Sequence, residues 1–119
     1  AVAARIQQSV GSSPAIEDYA LDLCAATRDP AAFGIVLDGV DMQRLVLSGV
    51  SPRGMAMLMR AARVAAWLDA REVLLPEDLH AVLHETIAHR VFLSPVYELQ
   101  RSALVGALMR QLVERVPAP

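Results

Sequence analysis

Ser51-Pro52-Arg53-Gly54 opens a segment that reads as a helix, and it puts a cation and a glycine where an anion could bind. Ser51 is a good N-cap. Pro52 suits the first helical position, because its φ is already fixed there and its missing N–H would have no intrahelical partner. The next two residues break local rules: a cation in the first turn opposes the helix dipole by about 0.3–1 kcal/mol, and a glycine inside a helix costs up to about 1 kcal/mol relative to alanine. Such violations are expected where function overrides propensity. Free N–H groups at a helix N-terminus favour phosphate, and a guanidinium adds a forked contact to its oxygens. On this reading Gly54 lets a ligand or another chain approach. Spacing alone leaves open the alternative that Arg53 is a solvated arginine and Gly54 a packing concession.

At roughly 100° per residue, Arg60 and Arg63 fall in the same quadrant as Arg53, so the helix carries one basic edge. The other candidate chemistry is weaker. His80 and His84 have the i, i+4 spacing of a metal pair, but His89 falls on the opposite face and no H-E-x-x-H pattern or cysteine pair completes a site, so no metal is expected. Asp38, Gly39 and Asp41 lack the ligand series of a calcium loop. Cys24 lies on an apolar stripe and reads as a buried thiol; Met55, Met57 and Met59 read as core.

The elements that position these residues belong to one domain, 1–119, whose 55% hydrophobic content and net charge of −2 argue against disorder. All 11 basic residues are arginines. A phosphate-binding loop of the G-x-x-x-x-G-K-[ST] type needs a lysine, so this chain cannot contain one. The acidic balance argues against nucleic acid as a partner. No apolar run reaches the length of a membrane span, no signal peptide is visible, and the lone cysteine fits a reducing compartment, so a cytoplasmic location is expected.

Ser-Pro or Leu-Pro pairs at Ser13, Ser51, Leu75 and Ser94 mark four helix starts. Helices are expected over about Pro14–Thr27, Pro52–Ala70, Pro76–Ala88 and Pro95–Arg115, with "AVAARIQQSV" ahead of them as the end of a helix or connector. The second is apolar around most of its circumference and reads as central. Between Arg28 and Val50 a long connection is expected, with an extended piece near Ile35–Leu37, a helical turn near Asp41–Leu45 and no sheet. The fold class is all-α: a small bundle of four main helices with a long connection between the first and second.

Three stretches carry a family resemblance: "DYALDLCAATRDP" (Asp18–Pro30), "SGVSPRGMAMLMRAARVAAWLDAREVLLPEDL" (Ser48–Leu79) and "IAHRVFLS" (Ile87–Ser94). In this order and at these separations they resemble the C-terminal helical lid of MoxR-type AAA+ ATPases. The resemblance implies that Arg53 is the sensor-2 residue, catalytic in the full-length protein. Ser51, Pro52, Arg53 and Gly54 would then border the phosphates of ATP, held with Mg2+ by a P-loop domain expected upstream. It further implies a ring of subunits, remodelling or maturation of partner proteins, and partners with von Willebrand factor A domains. Arg60 and Arg63 become interface candidates. Val50, where alanine is usual, and Leu75, where threonine often caps, depart from the pattern. The competing reading is a stand-alone helical module binding protein or DNA through the Arg53/Arg60/Arg63 edge.

Overall fold

A computed structural model describes residues 2–119. Its α-helices are α1 (Val2–Ser9), α2 (Pro14–Arg28), α3 (Pro52–Leu68), α4 (Pro76–Ile87), α5 (Pro95–Glu98) and α6 (Arg101–Arg115). The main helices α2, α3, α4 and α6 form the expected bundle. Ser13 and Ser51 cap α2 and α3 as their sequence suggests, each hydroxyl accepting a backbone N–H three residues on. Leu75 has no oxygen to offer at the start of α4. Asp78 compensates from within the helix, its Oδ2 accepting the Leu75 N–H at 2.8 Å.

Two expectations need correction. A small antiparallel sheet does form, from β1 (Val46–Ser48) and β2 (Phe92–Leu93), with Val46 opposite Leu93 and Ser48 opposite Phe92. Strands this short carry no period, and their partners lie far apart in the chain. The segment at Ile35–Leu37 joins neither strand. Gln111 of α6 acts as its partner instead, accepting the Val36 N–H at 3.3 Å and donating to the Val36 carbonyl at 2.8 Å. The last expected helix is broken between α5 and α6. Glu98 turns back to accept the Leu93 N–H at 3.0 Å, and Arg101 binds both Glu98 and the Ala88 carbonyl. These tertiary bonds outweigh the weak propensity for one continuous helix.

α3 packs most extensively on α4, and Leu58, Met59, Ala62 and Ala66 of α3 share one buried core with Leu79, Leu83 and Ile87 of α4. Ala62 and Ala66 are small enough to let another helix lie close. α3 is less central than expected: Met57, Val64, Trp67 and Leu68 reach the surface. The turn to α4 passes through Ala70 at φ +59°, and the Arg71 N–H returns to the Ala66 carbonyl at 2.9 Å. Arg71 then pairs with the buried Asp78 and with Asp69.

Left-handed backbone is unfavourable for any residue with a Cβ. Ala70→Gly is therefore expected to raise stability by about 0.5–1 kcal/mol, read as a higher denaturation midpoint; a lower midpoint would show that Ala70 is unstrained. On the opposite side of α4, the buried Tyr19 hydroxyl lies 2.6 Å from Nε2 of His80. Burial lowers the His80 pKa against the opposing charge of Glu77. The unfolded chain then takes up the proton first. This contribution to stability is full above the ordinary histidine value of about 6.5 and is lost as pH falls through the lowered folded value. His80→Gln should flatten the fall in thermal midpoint between about pH 7 and pH 5; an unchanged slope would assign that fall to other groups.

Candidate functional site

The N-terminus of α3 is positioned by the end of α2. Thr27 Oγ1 donates to the Cys24 carbonyl at 2.6 Å and accepts the Val50 N–H at 3.0 Å, while Arg28 Nη1 donates to the Val50 carbonyl at 2.8 Å. Both backbone groups of Val50, a residue 1% exposed, are thereby satisfied by one helix end. This approach requires glycine at position 49, where a Cβ would stand 2.7 Å from the Arg28 backbone nitrogen.

Gly54 is buried, and the space it frees is filled from within the chain. A Cβ there would lie 2.5 Å from Val50 Cγ1 and 3.1 Å from Arg90 Cδ. The packing alternative describes Gly54, which corrects the expectation that it clears room for a ligand. The departure at Val50 acquires a reason as well, since the valine methyl occupies this space.

The donors of the first turn can be accounted for one by one. Pro52 has none, the Gly54 N–H goes to Ser51 Oγ at 3.4 Å, and the Met55 N–H goes to the Ser51 carbonyl at 3.0 Å. That leaves the N–H of Arg53. Its side chain is exposed. The ion pairs among the described residues join Arg44 to Asp41, Arg71 to Asp69 and Asp78, and Arg101 to Glu98; Arg53, Arg60, Arg63 and Arg90 enter none of them.

Two clefts flank Ser51. One, of about 430 Å³, is lined by Arg28 and the run Val46–Pro52; the other, of about 370 Å³, by Ser48, Gly49, Ser51, His89, Arg90 and Phe92. Neither lining contains a carboxylate. Guanidinium, imidazole and hydroxyl groups suit phosphate oxygens, and without a carboxylate these linings offer a magnesium ion no anionic ligand.

Arg60 and Arg63 stand apart from these clefts. Arg60 is exposed, with its carbonyl accepting from Gln7 of α1 at 2.9 Å, whereas Arg63 is half-buried. The three arginines share an edge of α3 but not one surface. His80 is engaged by Tyr19, His84 is exposed, and among the described residues no group of three or more His, Cys, Asp or Glu could hold a metal. Asp41 binds the Gln43 N–H and pairs with Arg44. Cys24 is buried, which pushes its thiol up to about 11. Met57 is exposed, unlike Met59, and so lies outside the expected core. Among the described residues, no helix is long and apolar enough to cross a membrane.

Sequence reasoning missed Thr27, Arg28 and Arg90. The first two lie at the end of "CAATRDP", where they look like an ordinary polar helix terminus. Arg90 belongs to a stretch that carries the resemblance, but nothing in its spacing ties it to α3.

Comparison with known proteins agrees with this geometry. Residues 42–110 match the family model of the AAA lid domain. The chain is 51% identical to Protein MoxR of Paracoccus denitrificans, over 99% of this chain and 35% of that protein. It is 52% identical to Protein MoxR of Methylorubrum extorquens, over 99% of this chain and 34% of that protein. It thus spans about a third of the length of these relatives. A crystal structure of a Cytophaga hutchinsonii protein assigned as an ATPase superposes with a TM-score of 0.74 at 28% identity, covering 89% of this chain and 32% of that one. With this fold, and with the family model spanning most of the bundle, the chain belongs to the AAA lid domain family, in its MoxR type.

Proposed function

We propose that this domain closes over ATP held by a separate P-loop domain of the same protein, with Arg53 as the sensor-2 residue. The observation that carries the proposal is Arg53 itself: an exposed, unpaired guanidinium and a free N–H in the first turn of α3, beside clefts lined without carboxylates. Ser51 and Pro52 shape that turn, and Gly54 lets Val50 pack beneath it. The P-loop domain would supply the lysine, the Mg2+ ligands and the first sensor. Arg53 would bind the terminal phosphates through charge-assisted hydrogen bonds that strengthen with negative charge and weaken once the γ-phosphate leaves. Lid closure would then follow nucleotide state, because the closed form gains a contact the open form lacks.

On the same reading the parent protein is a ring-forming, cytoplasmic, chaperone-like ATPase that remodels or matures partner proteins, including partners with von Willebrand factor A domains. The exposed Arg60 faces a neighbouring subunit or the P-loop domain, with the stem of Arg63 half-covered beside it.

In the full-length ATPase, Arg53→Ala is expected to lower ATP turnover by roughly tenfold or more. The domain should remain folded, its thermal midpoint unchanged or slightly raised, because an unfavourable charge leaves the helix N-terminus. Wild-type turnover would remove the sensor assignment. Gly54→Ala should behave in the opposite way. It gains helix propensity, yet the clash with Val50 is expected to destabilise the domain by roughly 1–3 kcal/mol in denaturant unfolding. An unchanged midpoint would show that Val50 gives way.

A further inference from the structure

We propose that Arg90 is a second phosphate-binding arginine of this lid, contacting the nucleotide's phosphates beside Arg53; the inference rests on the sensor-2 reading above. Arg90 and Arg28 both stand close to Ser51, each lining one of the flanking clefts. Their guanidinium groups differ in one respect. Arg28 is committed to the Val50 carbonyl, whereas Arg90 makes no hydrogen bond or ion pair among the described residues, and its Nε is buried without a partner. Arg63 and Arg71 also have a buried Nε without a partner, but of the three only Arg90 lines a cleft beside Ser51, where a ligand could bring an acceptor to its guanidinium.

The side chain is held in position from both ends. Its stem lies against the first turn of α3, where the missing Cβ of Gly54 leaves room: Arg90 Cδ is 3.1 Å from where that Cβ would stand. Its backbone is pinned between the buried Ala88 and Val91, two residues before Phe92 enters the sheet opposite Ser48. The guanidinium therefore borders a cleft of about 370 Å³ whose other polar side chains are Ser48, Ser51 and His89. With hydroxyls, an imidazole and no carboxylate around it, the acceptor that fits is a phosphate oxygen. Gly54 acquires a second use on this account, as the position that lets Arg90 cross the helix.

The test uses the full-length ATPase, with ATP affinity and thermal midpoint measured for Arg90→Met, Arg90→Lys and Arg53→Ala. Methionine keeps an unbranched stem over Gly54 and removes the charge; lysine keeps the charge. Arg90→Met is expected to weaken ATP binding by roughly tenfold at an unchanged midpoint, with Arg90→Lys recovering most of the loss. If Arg90→Met binds ATP like the wild type while Arg53→Ala does not, the inference fails and the sensor-2 reading stands. If neither variant changes binding or turnover, the reading itself fails. Should Arg90→Met lower the midpoint, Arg90→Lys is compared with Arg90→Gln, and equal affinities in that pair overturn the inference.

Discussion

The backbone of Val50 is where this lid is held together. Its N–H and carbonyl are buried, and both are claimed by consecutive residues at the end of α2, Thr27 and Arg28. A buried peptide group cannot remain unpaired without cost, so the chain entering α3 has essentially one way to lie against α2. Gly49 permits the approach, and the Val50 side chain then meets Gly54 one turn into the helix. Three glycine- or valine-sized choices follow from one hydrogen-bonded peptide group. The direction in which α3 presents Arg53 follows from them.

The other end of α3 is fixed by a different kind of contact. Arg71, coming off a left-handed turn at Ala70, reaches the carboxylate of Asp78 inside α4. That carboxylate also receives the N–H of Leu75, so one buried acid serves as ion-pair partner and helix cap. A buried pair of this kind is weak evidence for net stability, but it restricts how two helices can be joined. Between its two fixed ends, α3 packs chiefly on α4 and buries Leu58, Ala62 and Ala66 in the core. Held at both ends, α3 passes any displacement of its N-terminus to the rest of the domain through packed contacts.

Three of the main helices were legible because each carries its own punctuation. Proline after serine or leucine marked the starts of α2, α3 and α4, and the apolar stripe that bears Cys24 is the buried face of α2. Gly54 illustrates where such reading stops. A costly glycine beside a misplaced cation looked like one functional exception; the two have separate causes. Arg53 is exposed and free, while Gly54 is buried under Val50 and Arg90. The break between α5 and α6 was equally invisible, since it depends on Glu98 and Arg101 turning toward Leu93 and Ala88.

By itself the sequence determined the all-α class, the starts of α2, α3 and α4, the absence of a lysine-bearing phosphate loop, and Arg53 as the residue that breaks local rules. These are local quantities: helix caps, propensities and periods act within a few residues of chain. Only the tertiary structure decided that α2 holds the entrance to α3, that β1 finds β2, that α3 exposes part of its apolar surface, and that Arg90 lies beside the same turn as Arg53. Each depends on which distant group satisfies a buried donor or fills a missing side chain. That pairing is settled when the helices pack, and no spacing along the chain records it.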